Sequence, residues 1–235
     1  MEALFFMNNL NLFAIIVAGG SGSRMKSNLL KQFLPIGGLP ILMHTINRFL
    51  DYPKTIRIIL VLPEQEIVTW GNLCQVYSYE NKEVKVVVGG KSRFQSVKNG
   101  LNSIKETQGL VAIHDGVRPF LNKATLDNAF KTAFEKGNSI VTVPLKDSIR
   151  FVNGDDNKAL DRNNYQLVQT PQTFDLASIK SSYNSEELPH FTDDASVAEN
   201  AGEKITTILG SYENIKITTP EDLALGAAII KKFQY

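Results

Sequence analysis

The chain has 235 residues, 43% of them hydrophobic, enough to bury a sizeable core within one domain spanning 1–235. Lysine and arginine number 25 against 24 acidic residues, so no global basic field exists to hold nucleic acid or an anionic membrane, and an anionic ligand must be met by a local cluster. The single cysteine, Cys74, cannot form an internal disulfide, which suits a reducing, cytoplasmic setting.

Near the N-terminus, an apolar patch from Ala3 to Met7 follows Glu2, with no basic segment before it and no small-residue cleavage site after it. It does not read as a signal peptide, and no apolar run approaches the roughly 20 residues that span a bilayer. Runs rich in β-branched residues then predict strands at Phe13–Val17, Ile56–Leu62, Val84–Val88, Leu110–Ile113 and Ser139–Val143. Between them, Leu42, Thr45, Ile46 and Phe49 fall at helical spacing, as do Phe94, Val97, Leu101 and Ile104. Strand and helix in alternation predict an α/β protein: a Rossmann-like three-layer α/β/α sandwich with a mostly parallel twisted sheet and ligands at the strands' carboxyl ends.

The rhythm breaks after Pro144. From Lys146 to Asn164 the composition is polar, with one short alternating strand, Ser148–Val152, and a turn at Asn153-Gly154. A protruding β-arm over about 146–164 is the simplest reading. A strand at Asn214–Thr218 and a helix opened by Thr219-Pro220-Glu221-Asp222 close the chain, with threonine as cap and proline at the first helical position.

The first strand runs into Ala18-Gly19-Gly20-Ser21-Gly22-Ser23-Arg24-Met25, followed by Lys31-Gln32-Phe33. Glycines let backbone N–H groups approach phosphate oxygens, and Arg24 and Lys31 add two cations, a pattern that favours polyphosphate. Other glycine-turn motifs fail on spacing. A dinucleotide fingerprint needs glycine where Met25 stands, Gly89-Gly90-Lys91-Ser92 lacks the first P-loop glycine because Lys85 holds that place, and Ser23 spoils a nucleophile elbow.

These segments, with Gly89-Gly90-x-x-Arg93-x-x-Ser96-Val97, His114-Asp115-Gly116-Val117-Arg118-Pro119, Asp161-Arg162, Gln169-Thr170-Pro171-Gln172, Thr192-Asp193-Asp194-Ala195-Ser196 and Asn214-Ile215-Lys216, resemble the 2-C-methyl-D-erythritol 4-phosphate cytidylyltransferase family. The resemblance runs from Phe13 to Lys231. Leu30 replaces a usual proline, Gly116 a usual alanine and Ser148 a usual threonine. The resemblance implies transfer of CMP from CTP to 2-C-methyl-D-erythritol 4-phosphate in non-mevalonate isoprenoid precursor biosynthesis, with Arg24, Lys31 and Lys216 as the catalytic cations and Mg²⁺ or another divalent cation bridging phosphate oxygens. It implies nucleotide contacts from Ala18, Gly19, Gly20, Gly22, Gly89, Gly90, Ser96 and Asp115, the glycine pair and Ser96 reading the cytosine edge. Asp115, Arg118, Ser148, Arg162, Thr170 and Lys216 match positions around the acceptor, and a metal contact from Asp115 stays open. It further implies a homodimer in which the arm reaches the partner. The same fold also carries ribitol 5-phosphate cytidylyltransferases, whose first loop and Asp-x-x-Arg-Pro segment look alike, and fold alone leaves room for a non-catalytic nucleotide-binding protein.

Overall fold

The computed structural model describes residues 10–20, 29–80 and 82–233. Strand β1 (Leu12–Val17) leads, through the small hairpin of β2 (Pro35–Ile36) and β3 (Leu39–Pro40), to helix α1 (Ile41–Leu50) and β4 (Ile56–Leu62). Helix α2 (Ile67–Val76), β5 (Val84–Val88), α3 (Arg93–Asn102), β6 (Leu110–Asp115), α4 (Lys123–Lys136) and β7 (Asn138–Pro144) continue the alternation. The arm is β8 (Ile149–Asn153) and β9 (Asp156–Leu160). Then come β10 (Gln166–Asp175), α5 (Leu176–Ser182), α6 (Asp194–Asn200), β11 (Thr207–Leu209) and α7 (Pro220–Ile230).

The main sheet has seven strands in the order β11-β7-β10-β6-β1-β4-β5. All neighbours pair in parallel except β10, which runs antiparallel to both β6 and β7. Alternation along the strands explains the two helical layers. Leu12, Ala14 and Ile16 of β1, with Ile58, Leu60 and Leu62 of β4, pack under α1, α2 and α4, whereas Phe13, Ile15, Ile59 and Val61 face α3, α5 and α6. The two edge strands, β5 and β11, are the exceptions to full coverage, because each is paired on one side only and leaves part of its residues exposed.

Three sequence expectations shift. Asn214–Thr218 is no strand: it runs beside the loop after β6, where the Ile217 N–H donates to the Val117 carbonyl at 2.9 Å and the Ile217 side chain is buried in a satellite cluster with Phe120 and Ile229. The long β10 escapes a reading by apolar runs because its inner half is Gln169-Thr170-Pro171-Gln172-Thr173, polar residues buried by partnering rather than by apolarity. In the arm the two loop residues are Gly154 and Asp155, since Asn153 already pairs with Asp156, and Gly154 takes a φ of +60°. Among the described residues no helix is long and apolar enough to cross a membrane.

Candidate active site

Parallel strands leave backbone N–H groups and loop side chains at their carboxyl ends, and here β1, β4, β5 and β6 open onto one cleft of about 260 Å³. Lining it are Ala18, Gly19 and Gly20 after β1, Lys31 and Gln32, Gly89 and Gly90 after β5, Ser96 of α3, Asp115 closing β6, and Lys216. These groups are spread over about two hundred residues of sequence, from Ala18 to Lys216; the sheet brings them together. Arg24 and Gly22 lie outside the described residues.

Each wall has a local cause. The fully buried Gln32 donates from Nε2 to the Ala18 carbonyl at 2.7 Å, so the segment that carries Lys31 is tied to the end of β1. A side chain on Gly20 would meet Lys31 Cε at 3.3 Å, which places the lysine stem over the glycine backbone. On the opposite wall the Gly90 N–H donates to Ser96 Oγ at 3.0 Å, and a Cβ on Gly90 would fall 2.3 Å from Gln95 Cβ. That approach admits only glycine.

Among the described residues Asp115 is the one carboxylate lining the cleft, and two cations share its Oδ2: Lys216 Nζ at 3.1 Å and Arg118 Nε at 3.1 Å. Burial alone would raise its pKa, but Lys216, then Arg93 and Arg118, outweigh burial and hold the carboxyl well below its ordinary range. Arg118 also donates to the Asn214 carbonyl at 2.9 Å, which pins the segment bearing Lys216 against the loop bearing Asp115.

Thr170 and His114 form a chain behind Asp115. His114 Nε2 stands 3.0 Å from the Arg118 carbonyl, an acceptor, so Nε2 carries the proton and Nδ1 accepts from the Thr170 hydroxyl at 3.0 Å. The same hydroxyl oxygen accepts from the Asp115 N–H at 3.0 Å. Burial lowers the His114 pKa to about 4, against a smaller opposing effect of the Arg118 carbonyl, so the ring is neutral near pH 7. Arg118 and Thr170 thus stand behind Asp115 rather than on the cleft lining. Ser148 and Arg162 lie apart from the cleft: both are exposed on or beside the arm, and Arg162 donates to the Lys146 carbonyl.

Arg93 was a motif residue without a role in the sequence reading, yet it lines the cleft. Its guanidinium forks onto Asp194 at 2.8 and 2.6 Å, an ion pair between residues 101 apart. Burial works against its charge, but Asp194 prevails and raises the pKa. The three-residue spacing from Arg93 to Ser96, one face of a helix, was the signal that could have found it. Its partner could not be found that way. Gly116, standing where the family has alanine, has no room for a methyl group, since a Cβ there would lie 2.9 Å from Ala18 Cβ.

The profile of the 2-C-methyl-D-erythritol 4-phosphate cytidylyltransferase family matches residues 12–232. The chain belongs to this family. It is 46% identical over 221 residues to the 2-C-methyl-D-erythritol 4-phosphate cytidylyltransferase of Azobacteroides pseudotrichonymphae, covering 93% of this chain and 98% of that protein. The Bacteroides thetaiotaomicron enzyme of the same name is 44% identical over 216 residues, covering 92% and 98%. Among solved structures, the 4-diphosphocytidyl-2C-methyl-D-erythritol synthase of Anaerococcus prevotii superposes with a TM-score of 0.82 at 27% identity, covering 97% of this chain and 99% of that one. The Francisella tularensis 2-C-methyl-D-erythritol 4-phosphate cytidylyltransferase gives 0.77 at 27% identity, covering 93% and 99%.

Proposed function

We infer that the cleft transfers CMP from CTP to 2-C-methyl-D-erythritol 4-phosphate in isoprenoid precursor biosynthesis. An acceptor phosphate oxygen, ionised near neutral pH, attacks the α-phosphorus; the bond from that phosphorus to the oxygen bridging the β-phosphate breaks, and pyrophosphate leaves with the electron pair. No general base is required, which agrees with a histidine whose two ring nitrogens are both spent on structure. The obstacle is charge: two anions must meet. The observation that carries the reading is the carboxylate Asp115 gripped by Lys216 and Arg118 in a cleft that Lys31 also lines. Those cations stabilise the crowded charge of the transition state.

A divalent cation fits this site in one way. Among the described residues no three His, Cys, Asp or Glu side chains cluster as a metal cage, so Mg²⁺ would be held by substrate phosphates with Asp115 as its protein carboxylate, neutralising phosphate charge there.

Ser148 and Arg162 serve the acceptor from the arm of a second copy. Support comes from their exposure away from the cleft of their own chain, and from exposed apolar groups on and beside the arm, among them Phe151, Val152, Leu167 and Val168, which a partner would cover. The reaction takes place in the cytoplasm, a setting that suits a chain with one cysteine whose thiol burial and nearby Glu80 keep protonated. Pyrophosphate release from CTP, measured against a panel of polyol phosphates, tests the whole reading. Methylerythritol phosphate should give the highest kcat/KM; ribitol 5-phosphate in first place would move the acceptor, and no release with any of them would remove the activity.

A further inference from the structure

Arg93 has no task in the reaction just described, although it faces the same cleft. It opens α3 directly after the cap Ser92 and stands three positions before Ser96, so the two side chains leave one face of the helix beside Gly90. Its fork onto Asp194 is held from behind. Asp194 is fully buried, whereas the Arg93 side chain keeps 30% exposure. The Tyr183 hydroxyl donates to Asp194 Oδ1 at 2.6 Å, and its ring stacks on Phe94 at 4.7 Å. The backbone of Asp194 is equally fixed. Asp193 caps α6 in a capping box, while Gln172 of β10 donates to Asp193 Oδ2 and accepts from the Ala195 N–H, each at 2.8 Å.

A buried ion pair is a poor device for stability alone, because desolvating both charges consumes most of their attraction. This one uses two of the five guanidinium donors and leaves three on a group that opens to the cleft. Asp194 also offsets the charge of Arg93. What faces the cleft is a rigid donor edge of nearly balanced charge, suited to a neutral acceptor rather than to one more phosphate.

We propose that Arg93 is a specificity-determining residue that donates to the acceptor edge of the pyrimidine, cytosine O2 and N3, with Asp194 and Tyr183 as its positioning residues. Uracil presents an N–H at position 3 and would set donor against donor. The inference rests on the assignment of the Gly89-Gly90-Ser96 turn to the base.

Calorimetric titration of CTP, UTP and inorganic tripolyphosphate into the full chain and two variants tests it. Arg93→Lys keeps a charge against buried Asp194 but loses the fork; Tyr183→Phe leaves the ion pair whole and loosens its orientation. The wild type should favour CTP over UTP. Arg93→Lys should narrow that preference by about tenfold and Tyr183→Phe by about threefold, as expected for losing or loosening one or two hydrogen bonds, with tripolyphosphate affinity unchanged. An unaltered CTP-to-UTP ratio in both variants would reduce the pair to a structural strut, and a tripolyphosphate loss equal to the CTP loss would make Arg93 a phosphate clamp; either overturns the proposal. Pyrophosphate release by the wild type is a separate readout, so its failure would sink the proposed reaction without being confused with these ratios.

Discussion

The cleft and the arm are built on opposite terms. At the cleft, polar side chains are buried and each is held by another: Gln32 by Ala18, Ser96 by Gly90, Asp115 by Lys216 and Arg118, Thr170 by His114. On the arm, β8 and β9 pair with each other and expose nearly every side chain, only Ile149 and Leu160 at the base being half-buried. Cross-strand support is modest, an Arg150 Nε to Asn157 bond at 2.7 Å and Lys158 lying over the Phe151 ring. Rigid placement at the cleft suits groups that must meet developing charge. An exposed hairpin has little to gain within its own subunit, which is what an arm serving the partner proposed above would require.

The largest effect should come from the cleft's cations. Lys31→Ala and Lys216→Ala should each lower kcat on the order of 10²-fold or more with thermal unfolding little changed, since both side chains line the cleft and neither fills the core. Near-normal turnover in both variants would mean that the cleft binds without catalysing.

The arm's part is tested by mixing subunits. Arg162→Ala and Lys31→Ala should each be poorly active alone. If Arg162 serves the partner's cleft, a hybrid dimer holds one site with both defects and one with neither. Random pairing makes about half the dimers hybrid, so activity should return to about a quarter of wild type. No recovery after proven exchange would assign Arg162 to its own chain and erase the functional contrast between the two regions.

The contrast also marks what could be read in advance. The alternation that makes the sheet is written in β-branched runs, and the glycine-rich loop, Gly89-Gly90 and Asp115 sit at strand ends where such folds place ligands. The hairpin is announced by Asn153-Gly154 in a polar stretch, although the turn sits one residue later than expected. Long-range partnering was not legible. The sequence pattern of β10 is polar because Thr170 and Gln172 spend their side chains on Asp115, His114, Asp193 and Ala195. The stretch bearing Lys216 has a strand's alternation, but it is consumed by anchoring Ile217 under the β6 loop instead of joining the sheet. Alternation records which side chains are buried, not which backbone they pair with.

Acid should find the body before the arm. His114, neutral in the fold and with its pKa lowered to about 4 chiefly by burial, titrates near 6.5 once unfolded. Below that value the unfolded chain binds a proton that the folded chain refuses. The group's contribution is therefore complete above about pH 6.5 and is lost as the pH falls toward 4, in total on the order of 3 kcal/mol. His44, also depressed by burial, adds a loss of the same sign. His114→Gln should be less stable at neutral pH, for want of the bonds to Arg118 and Thr170, yet show an acid limb shallower by about one proton in chemical denaturation between pH 6.5 and 4. A slope equal to that of the wild type would place the acid sensitivity elsewhere.

The smallest effect should separate the regions most cleanly. Gly154 turns the arm with a φ of +60°, and a Cβ built there meets nothing within 4 Å, so Gly154→Ala costs only backbone strain, about 1 kcal/mol. In the body such a cost would lower global stability. On a hairpin whose strands lean chiefly on each other it should instead favour local opening, leaving the unfolding midpoint in place while amide exchange across β8 and β9 quickens about fivefold. If the arm gains order from the partner proposed above, the acceleration should be strongest in dilute protein and should fade at high concentration. A concentration-independent change would show that the hairpin is held by its own subunit, and a drop in the global midpoint would show that arm and body unfold as one unit.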